Sequence, residues 1–171
     1  FPAWSKTTPQ VRFDVLDKAG AEILARKDEL GKQLAREQGK PVADGVMEAV
    51  RAGMIFKFFA GEALRMTGDR VDSPRPGVDV EVTREPLGVI GAIVPWNFPM
   101  LMAVWKIAPA LATGNSVVLK PSEKSPLTAL RLAELAIEAG IPAGVLNVLP
   151  GYGLEAGEPL ALHMDVDGLV F

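Results

Sequence analysis

The chain has 171 residues, with 18 basic and 21 acidic side chains and a formal net charge of −3. Apolar residues make up 49% and charged residues 23%, a globular composition that excludes a disordered or collagen-like chain. Cysteine is absent, which excludes a disulfide scaffold, a zinc ribbon and a thiol nucleophile within this chain. The charge balance indicates no nucleic-acid surface, and no apolar run reaches the length of a membrane helix.

Both ends of the chain predict that it belongs to a longer protein. It starts at Phe1, with no methionine and no signal peptide, and stops on the apolar residues 168–171. A natural terminus seldom leaves such a strand as its last residues. The absence of cysteine permits a reducing compartment, and we expect a cytoplasmic location.

The first part of the chain predicts a long helix. Apolar side chains recur at helical spacing on one face through residues 13–34. Thr8 supplies an amino-terminal cap and Pro9 a first-turn proline, and the Gly-Lys-Pro sequence of residues 39–41 ends the segment. We therefore expect one helix between these two signals.

A second helix is predicted directly after this break. Met47, Val50, Met54 and Phe58 recur at steps of three and four residues, which places them on one helical face. A stripe of methionine and aromatic side chains is typical of core packing, so we expect these four residues to be buried.

Residues 67–88 predict loops around a single strand. Val78, Val80 and Val82 alternate with polar residues, the period of a strand with one solvent-exposed face. An edge strand with unpaired backbone groups tends to be paired or protected. We expect this one to join a sheet in another subunit.

From residue 89 onward, strands and helices alternate. Four short apolar runs predict buried strands: residues 89–94, 116–119, 145–149 and 168–171. Uniformly apolar strands joined by crossover helices predict an α/β fold, an open parallel sheet with flanking helices. In the best-defined helix, we expect Ser125 as the cap, Pro126 in the first turn and Gly140 at the end.

The loop after the first of these strands is a candidate site, because ligands of open parallel sheets bind beyond the carboxyl ends of the strands. Two prolines stiffen residues 95–99 around Asn97. A fixed amide donor suits an oxyanion hole, where it would stabilise a developing negative charge. From the residues alone, the favoured interpretation of this asparagine is the cap of the following helix.

The loop after the next strand carries charges of both signs, at Lys120, Glu123 and Lys124. A carboxylate at a strand end can accept hydrogen bonds from the vicinal hydroxyls of a ribose, and an ammonium can donate to the same sugar or to a phosphate. A solvated charged turn is the alternative interpretation.

The loop after the third strand is rich in glycine, with Gly151, Gly153 and then Gly157. Glycine permits close backbone approach to a phosphate, but no GxGxxG pattern is present, so a plain turn is the favoured interpretation of these residues. His163, the only histidine, has no second candidate ligand nearby, so we expect a structural or surface role and no metal site.

Taken together, the three loops resemble the NAD(P)-dependent aldehyde dehydrogenase superfamily. The matching segments are Val-Pro-Trp-Asn-Phe-Pro at 94–99, Leu-Lys-Pro-Ser-Glu at 119–123 and Gly-Val-Leu-Asn-Val-Leu-Pro-Gly at 144–151. Residues 4–41 and 165–167 match as well. The resemblance spans the whole chain and covers the amino-terminal part of a family member.

The resemblance implies that the complete protein oxidises an aldehyde to a carboxylic acid with NAD or NADP. A cysteine thiolate attacks the carbonyl, hydride passes to the nicotinamide, and a glutamate-activated water hydrolyses the thioester. The implied fold is Rossmann-like, with residues 1–77 as its helical part and 89–171 as its cofactor-binding part. The catalytic domain, with the cysteine and the glutamate, is expected downstream of this chain.

The resemblance also assigns site residues. Asn97 matches the oxyanion asparagine. The positions that match the cofactor site are Val94, Pro95, Trp96, Lys120, Ser122, Glu123, Gly153 and Gly157. The positions that match the aldehyde tunnel are Phe98, Met102 and Trp105. Residues 78–88 match the protruding strand through which we expect a homodimer or homotetramer.

Two alternatives to a hydrolytic dehydrogenase stay open: a non-catalytic binding or scaffold segment of the same fold, and a relative that passes the acyl group to coenzyme A. The subgroup is mixed as well. Residues 75–86 resemble bacterial 2-oxoglutarate semialdehyde dehydrogenases, whereas 115–123 and 162–167 resemble enzymes acting on ω-amino and ω-guanidino aldehydes. A semialdehyde or an ω-aminoaldehyde is therefore the expected substrate.

Overall fold

The computed structural model describes residues 1–171 and begins with a helical layer. Its helices are α1 (Pro2–Ser5), α2 (Pro9–Ala25), α3 (Lys27–Gln38) and α4 (Val42–Arg65). Thr8 caps α2 as predicted, its hydroxyl accepting from the Val11 amide at 3.3 Å. Gly39 ends α3 with a left-handed φ of 72°. The single helix expected here is in fact two, because the backbone leaves helical geometry at Arg26.

The predicted core stripe of α4 is wrong. Met47, Met54 and Phe58 are 51%, 60% and 58% exposed. The buried face carries mostly small side chains instead, with Phe56 and Glu48 as its two larger residues; the small ones are Gly45, Ala49, Ala52, Gly53, Ala60 and Ala63. These residues let α4 approach its neighbours closely. A Cβ on Gly45 would lie 2.4 Å from the Gly31 carbonyl oxygen, so the large side chains are left outside the contact.

A two-stranded hairpin follows α4. Strand β2 (Asp79–Val82) confirms the predicted strand, and it pairs antiparallel with β1 (Asp69–Asp72), which the sequence did not predict. The sequence Asp-Arg-Val-Asp of β1 has one apolar residue and therefore no strand period. Both strands are mainly exposed, and Val82 remains 47% exposed.

The second half of the chain forms the predicted open parallel sheet. Its strands are β3 (Val89–Ile93), β4 (Ser116–Lys120), β5 (Leu146–Val148) and β6 (Gly168–Val170), in the order β5-β4-β3-β6. Helices α5 (Pro99–Ala112) and α6 (Leu127–Ala139) connect β3 to β4 and β4 to β5. A π-helical turn (Gly153–Gly157) and α7 (Glu158–Leu162) lead back to β6, on the opposite side of β3.

The helical layer and the sheet share one continuous hydrophobic core of 32 buried residues. Trp4, Leu16 and Phe56 from the first half belong to the same cluster as Leu111 and Leu119 from the second. The Trp4 indole also donates to the Leu111 carbonyl at 3.2 Å. No helix has both the length and the apolar character required to cross a membrane.

Candidate active site

The loops that follow β3 and β4 meet at the carboxyl edge of the sheet. The carbonyl oxygen of Trp96 accepts hydrogen bonds from two directions, from the Ser125 hydroxyl at 3.2 Å and from the Gln38 side-chain amide of α3. Ser125 was predicted to cap α6, but that helix starts after Pro126 with no cap of its own. The serine instead fixes the loop after β3.

The position of this edge agrees with the rule for ligand sites in parallel sheets. After β3 the chain adds β4 and β5 on one side and then returns to add β6 on the other. Such a reversal of strand order leaves a crevice beyond the carboxyl ends of the strands, where ligands of open sheets bind. The loop of Trp96 and Asn97 lies at that point.

Asn97 does not cap α5. The residue in the cap position is Phe98, and its side chain makes no capping hydrogen bond. The free amides are taken by the carboxylate of Glu48 in α4, whose Oε1 accepts from Met100 and Leu101 at 3.0 and 3.1 Å. The Asn97 side chain is exposed and forms no hydrogen bond within the chain. The cap interpretation is therefore wrong.

Lys40 connects Glu48 to the loop of Asn97. Its ammonium donates to Glu48 Oε2 at 2.5 Å and lies 3.5 Å from the Asn97 carbonyl oxygen. The same nitrogen lies 4.8 Å from the centre of the Phe98 ring, within range of a cation–π contact. The Glu48 side chain is only 1% exposed.

A cavity of about 400 Å³ opens beside this network. Its lining residues come from α4, α5 and the loop that precedes each: Lys40, Asp44, Met47, Glu48, Arg51, Asn97, Phe98 and Leu101. Lys40 and Glu48 neutralise each other, whereas Asp44 and Arg51 form no ion pair. The exposed position of Met47 thus has a local explanation, since its side chain lines this cavity.

Only part of the expected aldehyde tunnel lies at this cavity. Phe98 lines it together with Asn97. Met102 is partly buried against the core, and Trp105 borders a separate depression of about 530 Å³ beside β6. The Trp105 ring packs edge-to-face on Phe59, with 6.3 Å between ring centres.

Three of the predicted cofactor residues come together at the ends of the strands. The Lys120 ammonium, with a side chain 4% exposed, donates to the Pro121 carbonyl at 2.7 Å and lies 3.9 Å from Glu123. A Cβ on Gly157 would lie 3.4 Å from the Lys120 side chain. Lys120 therefore borders both Glu123 and Gly157.

The remaining cofactor positions are less constrained. Ser122 accepts from the Lys124 amide at 3.2 Å, and Gly153 has no neighbouring atom within 4 Å of where a Cβ would lie. Val94 is buried, whereas Pro95 and Trp96 are exposed beside it. Nothing in the packing requires a glycine at Gly153.

Other titratable groups lie away from the cavity. His163 is exposed, its Nδ1 accepting from the Asp165 amide at 3.2 Å, which confirms a surface position. The hydrogen bond that Arg131 donates to the Glu134 carboxylate raises the pKa of Arg131, and burial lowers the pKa of Arg12. No group of three or more histidine or acidic side chains is arranged to hold a metal ion.

Sequence reasoning missed the α4 side of the cavity. These residues lie about 50 positions before Asn97 and, apart from Lys40 in the Gly-Lys-Pro sequence, belong to no local motif; they are Lys40, Asp44, Glu48 and Arg51. The one available signal was Glu48, a carboxylate within the apolar sequence Val-Met-Glu-Ala-Val. A charged side chain on a buried helical face requires a partner elsewhere in the fold.

A parallel sheet whose carboxyl-edge loops border a polar cavity defines an α/β protein of the kind that binds its ligands at that edge. The family described as "Aldehyde dehydrogenase family" matches residues 1–171, and the chain belongs to it.

Relatives by sequence are dehydrogenases of several aldehydes. The chain is 46% identical over 169 residues to the NADP/NAD-dependent aldehyde dehydrogenase PuuC of Escherichia coli (strain K12), covering 98% of this chain and 34% of that protein. It is 42% identical over 171 residues to a mitochondrial succinate-semialdehyde dehydrogenase of Arabidopsis thaliana, covering 100% and 32%. The chain thus spans about a third of the length of the curated relatives it matches.

Solved structures show the same fold. The chain superposes on indole-3-acetaldehyde dehydrogenase in apo form with a TM-score of 0.95 and 49% identity, covering 99% of this chain and 40% of that one. It superposes on PnpE in complex with nicotinamide adenine dinucleotide with a TM-score of 0.96 and 41% identity, covering 99% and 35%.

Proposed function

We propose that this chain is the cofactor-binding part of an NAD(P)-dependent aldehyde dehydrogenase that oxidises an aldehyde to a carboxylic acid. The observation that carries the proposal is that the loop of Asn97 is held by hydrogen bonds while the Asn97 side chain has none. Its backbone loop is bonded by Gln38, Ser125 and Lys40, while its side-chain amide is left free at the rim of a cavity. A fixed and unoccupied donor is the requirement for stabilising charge that develops during a reaction.

The chemistry assigned to Asn97 is charge stabilisation on a carbonyl oxygen. When a thiolate adds to the aldehyde carbon, the C=O π bond breaks and its electron pair moves to oxygen. The Asn97 amide would then donate to an alkoxide, which it stabilises more than the neutral carbonyl. The thiolate must come from outside residues 1–171, because this chain contains no cysteine.

The residues around Lys120 fit a dinucleotide. The Lys120 ammonium has three donors and gives one to Pro121, so further donors are available for a hydroxyl or phosphate oxygen. Glu123 is exposed and can accept from ribose hydroxyls, and Gly157 leaves open the space that a Cβ would fill beside Lys120. The bound dinucleotide supplies the hydride acceptor. NAD is the expected cofactor, since Glu123 would repel the 2′-phosphate of NADP.

The cavity favours an aldehyde that carries a carboxylate. Asp44 lies in the first turn of α4, where the helix amides offset its charge. Arg51 lies inside the helix with no ion pair, so it leaves an unmatched positive charge beside Leu101 and Asn97. A semialdehyde is therefore the proposed substrate. An ω-aminoaldehyde is the second candidate, because Asp44 could pair with its ammonium.

Matched variants of the complete protein test the substrate class. With aldehydes of equal length ending in a carboxylate, an ammonium or a methyl group, Arg51→Met is expected to lower kcat/KM for the carboxylate about 10- to 100-fold, the effect of one charge-assisted hydrogen bond. Asp44→Asn serves as the control and is expected to leave that value unchanged. If Asp44→Asn instead lowers kcat/KM for the ammonium substrate, the result would assign the ω-aminoaldehyde class.

Product analysis tests the reaction itself. The complete protein is expected to convert aldehyde and NAD to free acid and NADH in water. Formation of an acyl thioester only when coenzyme A is supplied would assign the acylating class. If no NADH forms from the aldehyde either with or without coenzyme A, the result would favour the non-catalytic scaffold.

We further propose that the protein is a cytoplasmic homodimer or homotetramer assembled through residues 78–88. The support is the exposed hairpin: β2 pairs on one edge with β1 and is free on the other, and both faces are open to solvent within this chain. A free strand edge is a surface on which another sheet can add.

A further inference from the structure

The two crossover helices at the candidate site begin without caps of their own. Neither α5 nor α6 has a side-chain cap from its own cap residue. In both, a glutamate from the helical layer supplies the missing acceptor. Glu48 accepts from the first amides of α5, and Glu37 accepts from the amides of Leu127 and Thr128 and from the Thr128 hydroxyl in α6. Free helix amides are thus satisfied from a different part of the chain.

Glu48 differs from Glu37 in what else it holds. Its second oxygen binds Lys40, and the Lys40 ammonium reaches the Asn97 carbonyl and the Phe98 ring. Glu37 makes no hydrogen bond to the loop that carries Asn97. The two glutamates can therefore be compared as a pair: Glu48 lines the cavity and binds Lys40, whereas Glu37 reaches the loop of Asn97 only through its neighbours Gln38 and Ser125.

The burial of Glu48 requires an explanation of its own. Burying a carboxylate costs several kcal/mol unless partners satisfy it, and an apolar residue would pack at lower cost. Here both oxygens are occupied, one by two amides and the other by an ammonium. Glu48 and Lys40 together therefore fix α5 and the loop before it in one arrangement.

We propose that Glu48 is a positioning residue of the candidate active site: through α5 and Lys40 it holds the Asn97 amide where the oxyanion forms. This inference rests on the proposed function. It predicts that loss of the Glu48 charge slows turnover through Asn97 while cofactor binding remains intact. Misplacement of a reacting group by about 1 Å can cost about 10²-fold in rate.

The test uses the complete protein with Glu48→Gln and with Glu37→Gln as the matched control. Both substitutions are isosteric and both weaken a cap, so both are expected to lower the melting temperature, Glu48→Gln by more because it also removes the buried ion pair with Lys40. Only Glu48→Gln is expected to lower kcat, by about 10-fold or more, with the Kd for NAD unchanged. Equal turnover in the two variants would overturn the proposal.

A double variant distinguishes an effect of Glu48 on the position of Asn97 from a general loss of stability. If Glu48 acts through Asn97, Glu48→Gln combined with Asn97→Ala is expected to turn over no more slowly than Asn97→Ala alone. Effects that multiply in the double variant would show that Glu48 acts by another route. Lys40→Met gives an independent test. It is expected to lower kcat as Glu48→Gln does, and the variant that combines the two substitutions is expected to turn over no more slowly than Glu48→Gln alone.

Hydrogen exchange distinguishes failure of this inference from failure of the proposed function. Glu48→Gln is expected to speed exchange of the Met100 and Leu101 amides and of the preceding loop, whereas Glu37→Gln speeds exchange only at the start of α6. This readout does not depend on turnover. Unchanged exchange at Met100 and Leu101 would refute the positioning role. Absent aldehyde oxidation in the unmodified protein would instead refute the proposed function.

Discussion

The Asn97 side chain is unpaired although its loop is held in place. The carbonyl groups of Trp96 and Asn97 accept hydrogen bonds, the next helix is capped by Glu48, and the Asn97 side-chain amide makes no hydrogen bond within the chain. Preorganisation of this kind means that little reorganisation is needed when charge develops on a bound carbonyl. The residue can therefore contribute to rate without contributing to stability.

Substitution of Asn97 tests that separation. In the complete protein, Asn97→Ala is expected to lower kcat about 10²–10³-fold with NAD affinity retained, the typical effect of one lost oxyanion donor. The melting temperature is expected to stay nearly constant, because the side chain makes no hydrogen bond within the chain. Steady-state kinetics and thermal unfolding measured together provide the check.

Asn97→Asp gives the sharper comparison, since it preserves shape and replaces the donor by a carboxylate. Its turnover is expected to be at least as low as that of Asn97→Ala, because negative charge would lie beside the forming oxyanion. If Asn97→Asp turns over as fast as the unmodified protein, Asn97 does not stabilise the oxyanion.

At the scale of elements, the glycines of α4 decide how the helical layer packs. A Cβ at Gly45 would meet the backbone carbonyl of Gly31 at 2.4 Å, and backbone yields little. At Gly61 the nearest atom is the Arg65 guanidinium at 3.0 Å, the end of a flexible side chain. The same substitution therefore has opposite consequences at two places on one helix.

Gly45→Ala is expected to destabilise the protein by about 1–3 kcal/mol through overpacking. Gly61→Ala, the matched control, is expected to stabilise it by about 0.5–1 kcal/mol, because alanine favours the helix. Denaturant unfolding of both variants measures the difference. Destabilisation of similar size at both positions would contradict the close approach of α3 and α4.

The hairpin is the other element with a testable role. Val80→Pro removes a backbone donor from β2 and is expected to weaken subunit association, whereas Val80→Thr keeps the donor and is expected to leave it unchanged. Sedimentation velocity at several protein concentrations distinguishes the two. An unchanged oligomer in Val80→Pro would argue against assembly through this strand.

For the whole molecule, the decisive fact is that residues 1–171 contain no cysteine and therefore no thiol nucleophile. The purified chain is expected to form no NADH from aldehydes, because the covalent route requires a thiolate. Incubation with NAD and an aldehyde series, followed at the absorbance of NADH, measures this directly. Sustained NADH formation would place the chemistry within this chain and overturn the proposed mechanism.

The sequence predicted the sheet well and the cavity poorly, for one physical reason. Buried parallel strands are short apolar runs that local pattern reveals, and all four were found. The buried face of α4 consists mostly of glycine and alanine, whose role depends on close approach to another helix. The hydrophobic stripe therefore predicted that Met54 and Phe58 are buried, whereas both are exposed.

The candidate site was predictable only as far as it is local. Lys120 ends β4, and Asn97 and Glu123 lie in the loops that follow β3 and β4, so strand order alone brings them to one edge. Glu48 and Arg51 reach the cavity only through the packing of α4 on α5, which no spacing in the sequence encodes. Ser125 looked like a cap because it precedes a helix, yet its partner is the distant Trp96 carbonyl.

The shared capping of α5 and α6 also limits how this chain can be recombined. A chimera that joins residues 89–171 to the helical layer of a relative would inherit caps only if that layer presents carboxylates where Glu37 and Glu48 lie. Without them, two helix ends at the ligand edge would be left with unsatisfied amides. Crossover points for chimeric enzymes are therefore best chosen so that α3, α4, α5 and α6 are inherited as one block.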